Sequence, residues 1–310
     1  MSFNVYLCSV IFLSSSVFAD AYQQIVLNPV QEEPFFVEPE VKRIEANGKD
    51  ELLSKRVVME KQAIVNPFVI TPHKPNYFLP IHYQSDVESN DLLASDDALD
   101  NIEFTFQLSV KFPVASHVLG SDSRLWMAYT QKAFWQAYNS DISAPFRETN
   151  HEPEIFVTKN LKQGSMSLIP TYVAFGFNHN SNGQDGLESR SWNRVFAELF
   201  YETDNSVISI KPWYRIPEDS ENDDNLNIEK YYGYGELNAI YLLDKYKMSL
   251  MLRNNLREDN KGAVELGFTF PLWGKSEGYI QYFSGYGHSL IEYNKYRQSF
   301  GIGIMVANWL

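Results

Sequence analysis

Cysteine is almost absent from this sequence: the one cysteine, Cys8, sits in an apolar opening segment. Beyond it there can be no disulfide, no thiol nucleophile and no cysteine-ligated metal. Positive charge is also short, with 26 Lys and Arg against 39 Asp and Glu and a net charge of −13. Nucleic acid needs a basic footprint, so that class of partner is excluded. Anionic lipid would not attract the chain electrostatically either, and any membrane association must be hydrophobic. Yet no apolar run reaches the roughly 18 residues of a spanning helix, and mean hydropathy is −0.31. What the chain has in excess is aromatic side chains, 19 Tyr and 21 Phe. A polar, aromatic-rich chain without long apolar runs suits a transmembrane β-barrel, with a soluble β-sandwich as the competing class.

Residues 1–19 read as a secretory signal peptide. Val5 to Phe18 is apolar and uncharged, Val17-Phe18-Ala19 supplies small residues for cleavage, and the amino terminus alone provides positive charge. Cys8 lacks the small residues before it that a lipoprotein signal would need. Residues 20–65, rich in Glu, Pro, Val and Lys without a sustained period, read as a flexible acidic periplasmic arm with a short helix near Asp50–Met59. The remaining chain, 66–310, is expected to form the barrel.

There the pattern becomes alternation between polar turns. In "EFTFQLSVKF", Phe104, Phe106, Leu108, Val110 and Phe112 face one way and Thr105, Gln107, Ser109 and Lys111 the other. "SVISIKPWYRI" and "AVELGFTF" repeat it, and the chain ends on alternation closed by Trp309-Leu310. About twelve such segments occur, each near the 9–11 residues of a tilted spanning strand. Long acidic loops such as 85–101 and 217–228 contrast with short turns at 203–205 and 243–246, as expected for an all-β, twelve-stranded antiparallel transmembrane β-barrel. The bulky apolar face would meet lipid, and Lys111, Arg194, Glu198 and Glu265 would point inward.

Three polar residues break the outer face. In "AFGFNHNSNG", His179 and Ser181 continue the odd-numbered series of Val173, Phe175 and Phe177. In the next strand, "SWNRVFAELFYE", Asn193 shares the parity of Val195, Ala197 and Leu199. A hairpin in the right register makes the three neighbours. Serine is then a nucleophile, histidine its base, and an amide oxygen orients the imidazole without placing a carboxylate at an apolar boundary. A fourth break is Gln131, among Leu125, Met127, Tyr129, Ala133 and Trp135. An amide in hydrocarbon lacks a partner, which a second copy of the chain could supply across a two-fold axis.

Several stretches resemble the bacterial outer-membrane phospholipase A enzymes: "YTQKAFWQ", "SAPFRETNHEPEIF", "GFNHNSNG" followed by "SRSWNR", "KPWY" and "SGYGHSLIEYN". They run in the family's order from about residue 65 to the end. The resemblance implies a bacterial outer-membrane enzyme that hydrolyses acyl esters of phospholipids and lysophospholipids (A1/A2 type), needs calcium and works as a homodimer. It implies Ser181 as nucleophile, His179 as general base, Asn193 as the residue orienting the histidine, and Gly183 as an oxyanion N–H donor. Calcium would be held by Gln184 through its backbone oxygen, by Ser189, and by Ser143 of the other subunit, with Gln131 in the dimer interface. This chain reads Gln-Asp-Gly-Leu-Glu after Gly183, where the family more often has Arg-Ser-Asp-Pro-Thr. Gly186 therefore stands at an acidic position of a secondary calcium site, for which Asp185, Glu188 or Asp224 could compensate. A catalytically silent porin-like or structural barrel is the alternative function.

Overall fold

A computed structural model of the chain describes residues 70–85, 99–141, 146–161, 169–219, 221, 223–274 and 276–308. The signal segment, the acidic arm with its helix, Ser143 and the terminal Trp309-Leu310 lie outside the described residues. Thirteen strands follow in order: β1 (Thr71–Pro72), β2 (Asn76–Gln84), β3 (Ile102–Ser116), β4 (Ser123–Trp135), β5 (Glu148–Asn160), β6 (Tyr172–Ser181), β7 (Ser191–Glu202), β8 (Ser206–Ile216), β9 (Gly235–Leu243), β10 (Tyr246–Asn254), β11 (Gly262–Pro271), β12 (Glu277–Tyr286) and β13 (Tyr296–Ala307). Strands β2 to β13 pair antiparallel with their sequence neighbours, and β13 returns to pair with β2, Ile302 opposite Ile81. The result is the expected closed barrel of twelve strands, which leaves no open sheet edge in lipid. Several strands exceed the expected length, β3 reaching 15 residues.

The first strand is interrupted. β1 and β2 both pair with β3, Thr71 opposite Lys111 and Tyr77 opposite Gln107, and the regular ladder is broken between them at His73 to Pro75. Pro75 has no N–H to give to a ladder. His73 and Lys74 keep backbone bonds to Ser109, but their side chains enter the lumen, where the His73 ring meets Glu154 at 2.7 Å and Lys74 Nζ meets Glu152 at 2.6 Å.

Alternation sorts the two faces as expected. Phe175 is 64% exposed on the outside, whereas Trp192 is fully buried inside and Lys111 and Arg194 are buried with it. Inward cations lie over inward aromatic rings: Arg194 over Trp192 at 4.0 Å, Lys211 over Phe196 at 4.2 Å, Lys111 over Trp126 at 4.4 Å. Carboxylates complete these contacts, Lys211 Nζ reaching Glu154 at 3.1 Å and Arg194 Nη2 reaching Glu152 at 3.2 Å. Pairing of this kind is what makes buried charge tolerable. The lumen retains a cavity of about 270 Å³ beside Lys74, Lys111, Lys211, Glu198, Glu236 and Glu265. Paired charges and packed aromatic rings occupy much of the remaining interior.

At the end of the barrel with the longer loops, residues 287–295 form a plug that alternation does not foretell. His288 to Glu292 are buried. Glu292 joins Arg147 Nη1 at 3.4 Å and Arg297 Nη2 at 2.9 Å. The backbone N–H of Ile291 donates to Glu148 and that of Leu290 to Asn150, both at 3.1 Å. Thus "RETN" and "HSLIE" are two halves of one closure.

Candidate active site

Strands β6 and β7 form the hairpin that would make the three polar residues neighbours, and their register fixes the site. His179 lies opposite Asn193 and Ser181 opposite Ser191. His179 and Ser181, two residues apart, emerge on the same face of β6. The imidazole Nδ1 of His179 is 2.9 Å from Asn193 Oδ1. An amide oxygen only accepts, so the neutral imidazole in this contact carries its proton on Nδ1 and keeps its lone pair on Nε2. The N–H of Gly183 donates to Ser181 Oγ at 3.0 Å. Gly183 is in the left-handed region, φ +67°, the conformation that turns this N–H back toward the serine.

The loop 182–190 is held from inside. Buried Asn182 accepts from the N–H groups of Gln184 and Arg190 at 3.3 and 2.9 Å, and its amide donates to the Glu188 carbonyl at 2.8 Å. The same amide reaches Glu148 at 3.5 Å, so the site loop and the 287–295 plug share one carboxylate. A single turn of 3-10 helix, Gly186–Glu188, occupies the middle of the loop.

The remaining expected residues fall as follows. Ser189 Oγ donates to Asp224 Oδ2 at 2.6 Å, bringing one of the three candidate carboxylates to the loop. The Ser189 carbonyl accepts from Arg190 Nη1 at 2.6 Å. Among the described residues no three His, Asp or Glu side chains are grouped to hold a metal, so oxygen donors here come chiefly from backbone and hydroxyl groups. Gln131 lies on the outer face of β4, opposite Leu108 on β3 and His151 on β5. His151 in turn lies opposite Ser181. One row across the wall therefore runs Leu108, Gln131, His151, Ser181.

Two members of the neighbourhood are not apparent in the sequence. His151 has no serine and amide arranged around it there, yet Tyr129 Oη holds its Nδ1 at 2.6 Å beside Gly183. The other is Glu218, whose Oε1 accepts from Asn193 Nδ2 at 2.9 Å. The signal for His151 is its place in the outward series of β5 with Pro153, Ile155 and Val157. Glu218 gives none, because it follows the last residue of β8 in an acidic loop.

Comparison with known proteins agrees with this architecture. The family model for phospholipase A1 matches residues 53–306. The chain is 38% identical over 244 residues to the phospholipase A1 of Escherichia coli K12, covering 78% of this chain and 82% of that protein. It is 34% identical over 269 residues to a putative phospholipase A1 of Neisseria meningitidis, covering 82% and 69%. The solved outer membrane phospholipase A of E. coli superposes with a TM-score of 0.73 at 36% identity, over 79% of this chain and 94% of that one. The Salmonella typhi outer membrane phospholipase, solved as a dimer with bound calcium, gives the same TM-score and identity over 78% and 94%. This protein is thus a member of the phospholipase A1 family, a β-barrel phospholipase of the bacterial outer membrane.

Proposed function

We propose that the enzyme is a calcium-dependent phospholipase of A1 and A2 type, acting on phospholipids and lysophospholipids through Ser181, His179 and Asn193 and activated by homodimerisation. The observation that carries this reading is the contact of His179 Nδ1 with Asn193 Oδ1 at 2.9 Å, beside a serine hydroxyl that accepts the Gly183 N–H, on the lipid-facing wall. An enzyme that attacks lipid from the side needs its nucleophile there.

His179 Nε2 takes the proton of Ser181 as Oγ attacks the ester carbonyl carbon. Asn193 keeps the imidazole in the tautomer that can accept it. The Gly183 N–H, already at Ser181 Oγ, would donate to the oxygen that becomes negative. Collapse expels the lysophospholipid alkoxide, which takes the proton back from His179. Water, deprotonated by the same histidine, then splits the acyl-serine into fatty acid and free enzyme.

The donor chemistry of loop 182–190 fits a hard cation, which prefers oxygen ligands. Gln184 and Ser189 would hold it, with Ser143 of a second copy and with the carboxylate of Asp224 already at Ser189. The Ser189 carbonyl already accepts from Arg190 Nη1 and has a second lone pair for a cation. When bound, calcium supplies fixed positive charge beside the developing oxyanion. The S. typhi relative, solved as a dimer with bound calcium, supports both the ion and the pairing. Asp185 and Glu188 remain the further candidates for a second ion.

The charge-paired lumen weighs against the porin alternative. Hydrolysis of a phospholipid by refolded protein, with calcium and after chelation, decides among these readings. Wild type is expected to lose activity on chelation, and Ser181→Ala to lose roughly 10³-fold or more. Full activity in Ser181→Ala would refute the nucleophile, and activity that survives chelation would remove the metal role.

A further inference from the structure

We propose that Glu218 is a positioning residue for this reaction: its carboxylate fixes which end of the Asn193 amide faces His179. The inference rests on the triad reading above. It begins from a weakness of asparagine in this position. An aspartate presents oxygen to the imidazole whichever way it turns. An amide presents oxygen one way and an NH₂ the other, the two being close to isosteric. Turned the wrong way, Asn193 offers a donor to Nδ1. The imidazole would then move its proton to Nε2, the nitrogen that must accept from Ser181.

The hairpin geometry removes that ambiguity. Asn193 lies opposite Ile216, the last residue of β8. Pro217 cannot donate to the ladder, so pairing stops there. Glu218, two residues beyond Ile216, shares its parity and reaches Asn193 along the diagonal of the sheet. Its Oε1 accepts from Asn193 Nδ2 at 2.9 Å, while Asn193 Oδ1 is 2.9 Å from His179 Nδ1. An ionised carboxylate has acceptors only. It therefore draws the NH₂ end toward itself and leaves the oxygen for the histidine. Glu218, Asn193 and His179 are all half-buried, so the contact operates where water competes less than at the open surface. It also gives a reason for asparagine here: a carboxylate at 193 would lie against that of Glu218.

The test uses the full-length protein in mixed micelles with calcium, with barrel folding of each variant checked by heat-modifiable gel mobility. Glu218→Gln keeps an acceptor and should retain kcat within about threefold. Glu218→Ala removes the preference between the two amide orientations and should lower kcat about tenfold at nearly constant KM. Glu218→Lys offers donors only, favours the wrong orientation, and should fall below Ala. In an Asn193→Ala background, Glu218→Ala should cost nothing further, since the two act as a unit. Equal losses for Gln, Ala and Lys, or losses that simply add in the Asn193→Ala background, would overturn the proposal. Ser181→Ala separates the two layers: if it is inactive while Glu218 variants behave as wild type, the positioning role alone fails. If Ser181→Ala remains active, the triad itself fails.

Discussion

Around Ser181, single backbone and side-chain conformations decide what chemistry is available. At Gly183 the requirement for glycine is conformational rather than spatial. A Cβ there would meet only the His151 ring, at 3.7 and 3.8 Å, but φ is +67°. An L-residue held left-handed costs about 1–2 kcal/mol, and relaxation would swing the N–H away from Ser181. Gly183→Ala is therefore expected to lower kcat about tenfold, the equivalent of roughly 1.4 kcal/mol, with thermal unfolding and KM little changed. Steady-state rates beside a melting curve check this, and an unchanged kcat would remove Gly183 from the oxyanion role. The triad candidates are legible in the sequence because strand parity is strict: a histidine, a serine and an asparagine stand out on two neighbouring faces where lipid demands apolar side chains. Gly183 is reached only through family resemblance, since a left-handed φ has no periodic signature. Glu218 is illegible for a different reason. Its position depends on where β8 stops against β7, a register fact, and its neighbours Asp219, Glu221, Asp223 and Asp224 make it read as one more solvated charge.

At the level of the element, all twelve barrel strands can be read from alternation, because one face must meet lipid and the other a polar interior. The plug formed by residues 287–295 cannot. "GHSLIEYN" has no alternation, yet its Glu292 is buried between two guanidinium groups. Only closure of the barrel brings Arg147, from the loop before β5, and Arg297, from β13, to the same point. Burial alone would raise the pKa of Glu292, but Arg147 and Arg297 hold it below the usual carboxylate value. A depressed folded-state pKa contributes stability that is complete above the unfolded value, about 4.3, and is lost as pH falls through the folded one. The plug should accordingly stay closed at neutral pH and loosen only under acid. Glu292→Gln should loosen it at pH 7, because removing one partner of a buried pair costs about 3–5 kcal/mol. Limited proteolysis within 287–295 across pH reads both effects. Equal protection in the variant and the wild type at pH 7 would show that the ion cluster does not hold the plug. Since Glu148 joins the plug to Asn182, the same variant should also lower kcat through the site loop.

The whole molecule presents an apolar wall interrupted on one side by the row Gln131, His151 and Ser181. Two strand spacings of about 4.8 Å separate Gln131 from Ser181, so a second copy meeting Gln131 would stand roughly 10 Å from Ser181. A second copy so placed would stand close to loop 182–190. In hydrocarbon, two apolar walls gain nothing from leaving lipid, so packing and polar contacts must drive their association. A glutamine facing lipid alone is costly, and its copy across a two-fold axis is the simplest partner for it. Polar contacts of this kind contribute about 0.6 kcal/mol on average and up to about 1.7, which is roughly a 3- to 20-fold change in the dimerisation constant. Activity per molecule should therefore rise with protein concentration in dilute micelles. Gln131→Leu should move the midpoint of that rise roughly 3- to 20-fold higher. The plateau at high concentration should be preserved, since Gln131 touches no reacting atom. A lowered plateau with an unmoved midpoint would make Gln131 part of the chemistry, and an unmoved midpoint with an unchanged plateau would place the dimer contact on another part of the wall.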